Sequence, residues 1–259
     1  VNELDPVLLL AMGLAGFAAG WVDAVVGGGG LIQLPALVLG FPGATPAQLL
    51  ATNKISSIFG TATSSITYGR RVRPDLRTAL PMAAVAFVGA IGGALIGLNI
   101  PKSAFNPIIL VMLIVVGAYT VFRPTLGRVT ALRYSGVRHG LTAMAVGLII
   151  GIYDGALGPG TGSFLVFALV GILGYAFLEA SAKAKITNFA TNLGALVVFI
   201  PGGHVMWRVG LLMAVMNIAG GYVGARTAVA RGSAFVRVVF IIVLCAFIIR
   251  IGGDVVGVW

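Results

Sequence analysis

Two aspartates and two lysines stand in sequence that is otherwise apolar, and their setting repeats. Asp23 lies four residues before the run Gly27-Gly28-Gly29-Gly30, and Asp154 lies four before Gly158-Pro159-Gly160-Thr161-Gly162-Ser163. Lys54 and Lys185 follow, each among polar side chains: Thr52, Asn53, Ser56 and Ser57 with the first, Thr187, Asn188, Thr191 and Asn192 with the second. Asp23 and Asp154, Gly27 and Gly158, and Lys54 and Lys185 are each separated by 131 residues.

These residue types suit anion chemistry. Glycine runs interrupt a helix, and Pro159 lacks an N–H. A helix that restarts after such a break presents free N–H groups and a positive dipole end, which favour an anion. Ammonium, amide and hydroxyl groups add donors for oxyanion oxygens. A carboxylate just before each break has three roles open to it: carrying a coupling proton, pairing with a lysine, or capping exposed N–H groups. Small residues also serve close helix packing, and Asn and Thr also bond between helices. The duplication favours a site. The expected substrate-binding residues are Gly28, Gly29, Gly30, Asn53, Lys54 and Ser57 in the first half. In the second they are Gly160, Thr161, Gly162, Ser163, Lys185, Asn188 and Asn192. Asp23 and Asp154 are the proton-coupling candidates.

No metal, cofactor or catalytic residue is expected. His139 and His204 fall in loops assigned to opposite sides, and Cys245 is a single cysteine with no zinc spacing. No Walker A pattern is present, so direct use of ATP by this chain is not expected. An intramembrane protease using Ser163 would need a base beside it, and neither histidine is placed for that.

The elements that position these residues follow from composition. Of 259 residues, 59% are hydrophobic and 9% charged, against roughly 25% charged in soluble domains. The chain therefore reads as an all-α polytopic integral membrane protein with about eight to ten membrane segments. Apolar segments are expected at about 6–26, 30–42, 46–69, 78–98, 104–122, 137–157, 161–176, 180–200, 208–226 and 236–257. Segments 30–42 and 161–176 directly follow the glycine breaks and are short, as half-helices or re-entrant segments would be. Lys54 and Lys185 fall about two turns into their segments, where lysine is costly and usually functional. Lys183, beside Glu179, is nearer the segment end and suits snorkelling. Arg250 and Asp254 suit an interfacial pair. Gly89, Gly93 and Gly97, and Gly220 and Gly224, have the spacing of helix packing.

The net charge of +10 is carried largely by arginines in short loops, a topology signal rather than a nucleic-acid one. Loops 70–77, 123–138 and 226–237 are expected in the cytoplasm, with both termini outside. The first apolar run lacks a charged leader and cleavage site and reads as a retained helix. The whole chain reads as one transporter domain containing repeats of about 6–122 and 137–257. An odd number of crossings separates equivalent positions, so the repeats are expected to be inverted. Inverted repeats, broken helices and a midplane site are a recurring pattern in secondary transporters.

The chain also resembles the TauE/SafE sulfite-exporter family, also called the 4-toluenesulfonate uptake permeases. The residues that carry the resemblance are Asp23-x-x-x-Gly27-Gly28-Gly29-Gly30-Leu31-x-x-x-Pro35, Thr52-Asn53-Lys54, Asp154-Gly155-x-x-Gly158-Pro159-Gly160-Thr161-Gly162-Ser163-Phe164 and Ala184-Lys185-x-x-Asn188-Phe189. They span nearly the whole chain. The second motif is like that of an inner-membrane permease branch, where it is not another glycine run. The resemblance implies a bacterial inner-membrane carrier for a sulfur-containing anion: sulfite, thiosulfate, or an organosulfonate such as sulfoacetate. The expected partners are that anion and the lipid bilayer, with no nucleic acid. The main rival is a channel for a small anionic or neutral solute, which would show neither saturation nor a response to a proton gradient.

Overall fold

The computed structural model describes residues 6–99, 110–111, 114, 127 and 129–255. Among the described residues the chain is helical, without strands: α1 (Pro6–Val26), α2 (Gly30–Gly40), α3 (Pro46–Arg71), α4 (Leu76–Gly97), α5 (Gly136–Ala156), α6 (Thr161–Ala168), α7 (Phe177–Phe199) and α8 (Trp207–Val255). The protein is an all-α polytopic membrane protein. Helices α1, α4 and α5 are long and apolar enough to cross a bilayer. The polar residues of α3 and α7 make those helices less hydropathic and are mostly buried inside the protein. The expected segment 104–122 lies almost wholly outside the described residues, as do the side chains of Arg250 and Asp254.

Local sequence explains where the helices start and stop. Helix α3 opens on a capping box: Thr45 accepts from the Gln48 N–H, Gln48 accepts from the Thr45 N–H, and Pro46 takes the first turn. Asp75 caps α4 by accepting from the Arg77 N–H. Helices α1 and α5 end alike, at Gly27 (φ 86°) and Gly158 (φ 87°), a left-handed conformation that glycine adopts without steric cost. Helix α2 has 11 residues, about 16 Å of rise against a ~30 Å hydrocarbon core. Helix α6 is shorter still and continues as one π-helical turn over Leu169–Leu173.

Sequence periodicity predicts two segments, 208–226 and 236–257, where α8 runs over 49 residues. The difference lies at Gly232, whose φ of 73° and ψ of −174° interrupt the helix. A straight helix of that length would extend about 74 Å, more than twice a bilayer core.

Glycines set the closest helix contacts, in matching pairs. A Cβ on Gly89 of α4 would meet the Leu148 carbonyl and Ile152 N–H of α5. A Cβ on Gly220 of α8 would meet the Phe17 carbonyl and Trp21 N–H of α1. Every residue in the second contact is the 131-residue counterpart of one in the first. Helix α1 thus packs on α8 as α5 packs on α4, and α3 and α7 meet between them.

Candidate functional site

The two glycine breaks meet in the interior. The Ser163 N–H donates to the Gly27 carbonyl at 3.0 Å, and Ser163 Oγ donates to the Val26 carbonyl at 2.9 Å. Gly162 lies so close to Gly27 that a Cβ on either would overlap the other's backbone. The start of α6 is therefore stitched to the end of α1 by main-chain groups.

Each aspartate sits in the last turn of its helix, before the break, and is met by a lysine from the other sequence half. Lys54 Nζ of α3 is 2.6 Å from Asp154 Oδ2 of α5. Lys185 Nζ of α7 is 3.0 Å from Asp23 Oδ2 of α1 and also donates to the Asp23 backbone carbonyl. Both lysines are almost completely buried. Thr161, at the start of α6, donates to Asp154 Oδ1 and to the Gly158 carbonyl. Four formal charges thus balance to zero in an interior where each alone would be costly.

Between the pairs lies a cavity of about 10 Å³, lined by Asp23, Gly27, Gly30, Asn53, Lys54, Ser57, Asp154, Gly158, Gly160, Thr161, Gly162, Asn188 and Asn192. That is room for about one water molecule. Asn53 Oδ1 and Asn192 Nδ2 are buried and without hydrogen-bond partners among the described residues. Four of the residues expected at the site do not line this cavity. Gly29 packs against the Asp23 side chain, and Gly28 accepts from the Leu31 N–H. Ser163 is bound to the end of α1, and Lys185 lies behind Asp23. Gly27 and Gly158, not in the expected set, do line it.

Polar residues around the lysines divide between cavity and scaffold. Thr52 accepts from the Met206 N–H, Thr187 donates to the Lys183 carbonyl, and Thr191 donates to the Asn188 carbonyl. Beside the cavity runs a buried lane that sequence reasoning missed. Gln33 Nε2 donates to Ser56 Oγ at 2.9 Å, Ser57 Oγ donates to Gln33 Oε1 at 3.4 Å, and Asn217 Nδ2 donates to Ser56 Oγ at 3.4 Å. The available signal was one amide inside each of two apolar segments. Lys183 is 1% exposed and carries its ammonium to the start of α7, 4.0 Å from the centre of the Tyr175 ring, a cation–π contact. His139 is not a loop residue; it is buried in the first turn of α5.

Apolar side chains on the outside and a polar, charge-balanced interior built from broken helices are the build of a membrane-embedded protein. Residues 12–251 match the family described as Sulfite exporter TauE/SafE, and the chain belongs to that family. A probable membrane transporter protein, ORF9, of Sinorhizobium sp is 37% identical over 98% of this chain and 96% of its own length. A probable membrane transporter protein of Haemophilus influenzae is 34% identical over 91% of each chain. The probable membrane transporter protein YfcA of Escherichia coli K12 is 34% identical over 93% of this chain and 88% of its own. No solved structure matches the chain.

Proposed function

We propose that this protein is a secondary transporter. It moves a sulfur-containing anion, such as sulfite, thiosulfate or an organosulfonate like sulfoacetate, across the bacterial cytoplasmic membrane by alternating access. The carrying observation is the crossed arrangement at the breaks: Lys54 reaches Asp154 and Lys185 reaches Asp23 across the two sequence halves. The matched contacts of Gly89 and Gly220 support two equivalent halves, and the arginines of loop 70–77, sparse in its counterpart 201–208, support their inversion. The Arg-rich loops then face the cytoplasm.

Charge balance gives the mechanism its form. With both pairs intact, an entering anion would add an uncompensated negative charge in a low-dielectric interior. Protonating Asp154 or Asp23 removes that charge and frees the paired lysine for the anion. Asn53, Asn192, Asn188 and Ser57 then supply donors around it, and the breaks let the halves move. A proton accompanies each anion in this scheme. Saturable flux of labelled sulfite or sulfoacetate into proteoliposomes, stimulated by a proton gradient and lost in Lys54→Ala, is the expected result. Flux that neither saturates nor responds to the gradient would favour a channel.

A further inference from the structure

A second polar cluster lies away from the central cavity, where the loops 72–75 and 131–135 meet the start of α7. A groove of about 450 Å³ is lined by Asp75, Arg133, Tyr134, His139 and Tyr175 and by the first residues of α5, Ser135 and Gly136. Three features of it favour an anion. Helix α5 is 21 residues long and its N-cap, Ser135, makes no side-chain cap, so the first N–H groups of a long helix face the groove end unsatisfied by that side chain. Arg133 adds a guanidinium, the group best matched to a tetrahedral oxyanion. His139 is 8% exposed, and its Nδ1 is buried with no hydrogen-bond partner among the described residues.

The rest of the cluster holds that histidine in place. Tyr175 Oη is 2.8 Å from His139 Nε2 and also reaches Thr78 Oγ1 at 3.5 Å, and Thr78 donates to Asp75 Oδ2 at 2.6 Å. Among the described residues that line the groove, Asp75 is the one carboxylate. Its two oxygens are already taken by Thr78 and the Arg77 N–H. Behind the Tyr175 ring, the Lys183 ammonium stacks at 4.0 Å from its centre.

We propose that this groove is a second oxyanion site, in which a sulfite, sulfonate or phosphate group sits at the N-terminus of α5 against Arg133 and His139. It stands apart from the central cavity and does not depend on the transport reading. One tetrahedral group has two sources at a membrane face, a free anion and a phospholipid headgroup.

The chain has two histidines, so His204→Gln leaves His139 as a single imidazole probe. Ring-labelled His204→Gln protein in maltoside micelles, which contain no phosphate, is titrated with sulfite, methanesulfonate, inorganic phosphate, phosphatidylglycerol and, as control, chloride. A saturable shift of the His139 ring resonances with a free oxyanion assigns the site to a soluble ligand. A shift with phosphatidylglycerol alone assigns it to lipid. Either shift is expected to persist in the double variant Lys54→Ala with Asp154→Ala, and to need about tenfold more ligand in Arg133→Gln, the worth of one charge-assisted hydrogen bond. The proposal is overturned if none of the oxyanions moves the resonances. It is equally overturned if chloride moves them as far, or if Arg133→Gln leaves the titration unchanged.

Discussion

Lys54 of α3 and Asp154 of α5 face each other at 2.6 Å, and Lys185 of α7 and Asp23 of α1 do the same at 3.0 Å. The repeat makes the two pairs counterparts, so each sequence half supplies an acid to one pair and a base to the other. Removing one partner strands a buried charge, which typically costs about 3–5 kcal/mol, whereas removing both does not. Lys54→Ala is therefore expected to lower the melting temperature sharply, and Lys54→Ala with Asp154→Ala to recover most of the loss. Neither variant is expected to transport. A double variant no more stable than the single one would show that the pair does not act as a unit.

How far the site was legible in sequence turns on these four residues. Their identity and burial could be read, because a charge in apolar sequence is expensive and a 131-residue repeat marks equivalent positions. Their pairing could not. A repeat says that Lys54 corresponds to Lys185; it does not say whether Asp23 faces its own lysine or the other. That is fixed by α3 and α7 packing between the glycine-stitched pairs of helices. The helix breaks were legible for the same reason as the charges, since Gly27 and Gly158 take a conformation that glycine tolerates. The groove at His139 was not legible. Its members come from three separated stretches, and Tyr175 and Thr78 carry no signal of their own.

Asn53 and Asn192 bring unpartnered polar atoms into the cavity. A buried polar atom without a partner destabilises the resting fold. Asn192→Leu is expected to leave the melting temperature equal or higher, by up to about 1–3 kcal/mol of stability. The same change is expected to reduce anion flux at least about tenfold, the worth of one lost hydrogen bond to a charged ligand. A destabilised variant with normal flux would assign Asn192 to the scaffold instead.

The approach of Gly27 to Gly162 leaves no space for a methyl group, and the neighbouring atoms are backbone, which cannot rotate away. Gly162→Ala is expected to separate α6 from α1 and break the Ser163 bond to the Gly27 carbonyl. The expected result is loss of folded protein, read as a failure to elute as a single peak in detergent. Gly43→Ala, where added bulk meets nothing within 4 Å, is the matched control.

Asp75 gives a pH dependence outside the membrane segments. The Thr78 hydroxyl, assisted by the Arg77 N–H and the charge of Lys183, holds its carboxyl below the usual range. A depressed carboxyl contributes stability above the unfolded value of about 3.9 and loses it as pH falls through the lower folded value. Asp75→Ala is expected to cost about 1 kcal/mol at neutral pH, the usual worth of an N-cap. The gap between variant and wild type should close in strong acid. A gap in melting temperature that stays constant from pH 7 to pH 2 would rule out an ionised cap.

The central cavity of about 10 Å³ has a further consequence, for the cell rather than for the fold. A membrane that stores energy as a voltage tolerates no standing hole for ions. With the interior closed by main-chain contact between the breaks and by its own four charges, this conformation offers a hydrated ion no path among the described residues. A membrane can hold many copies of such a protein and leak no ions through them while they rest in this conformation.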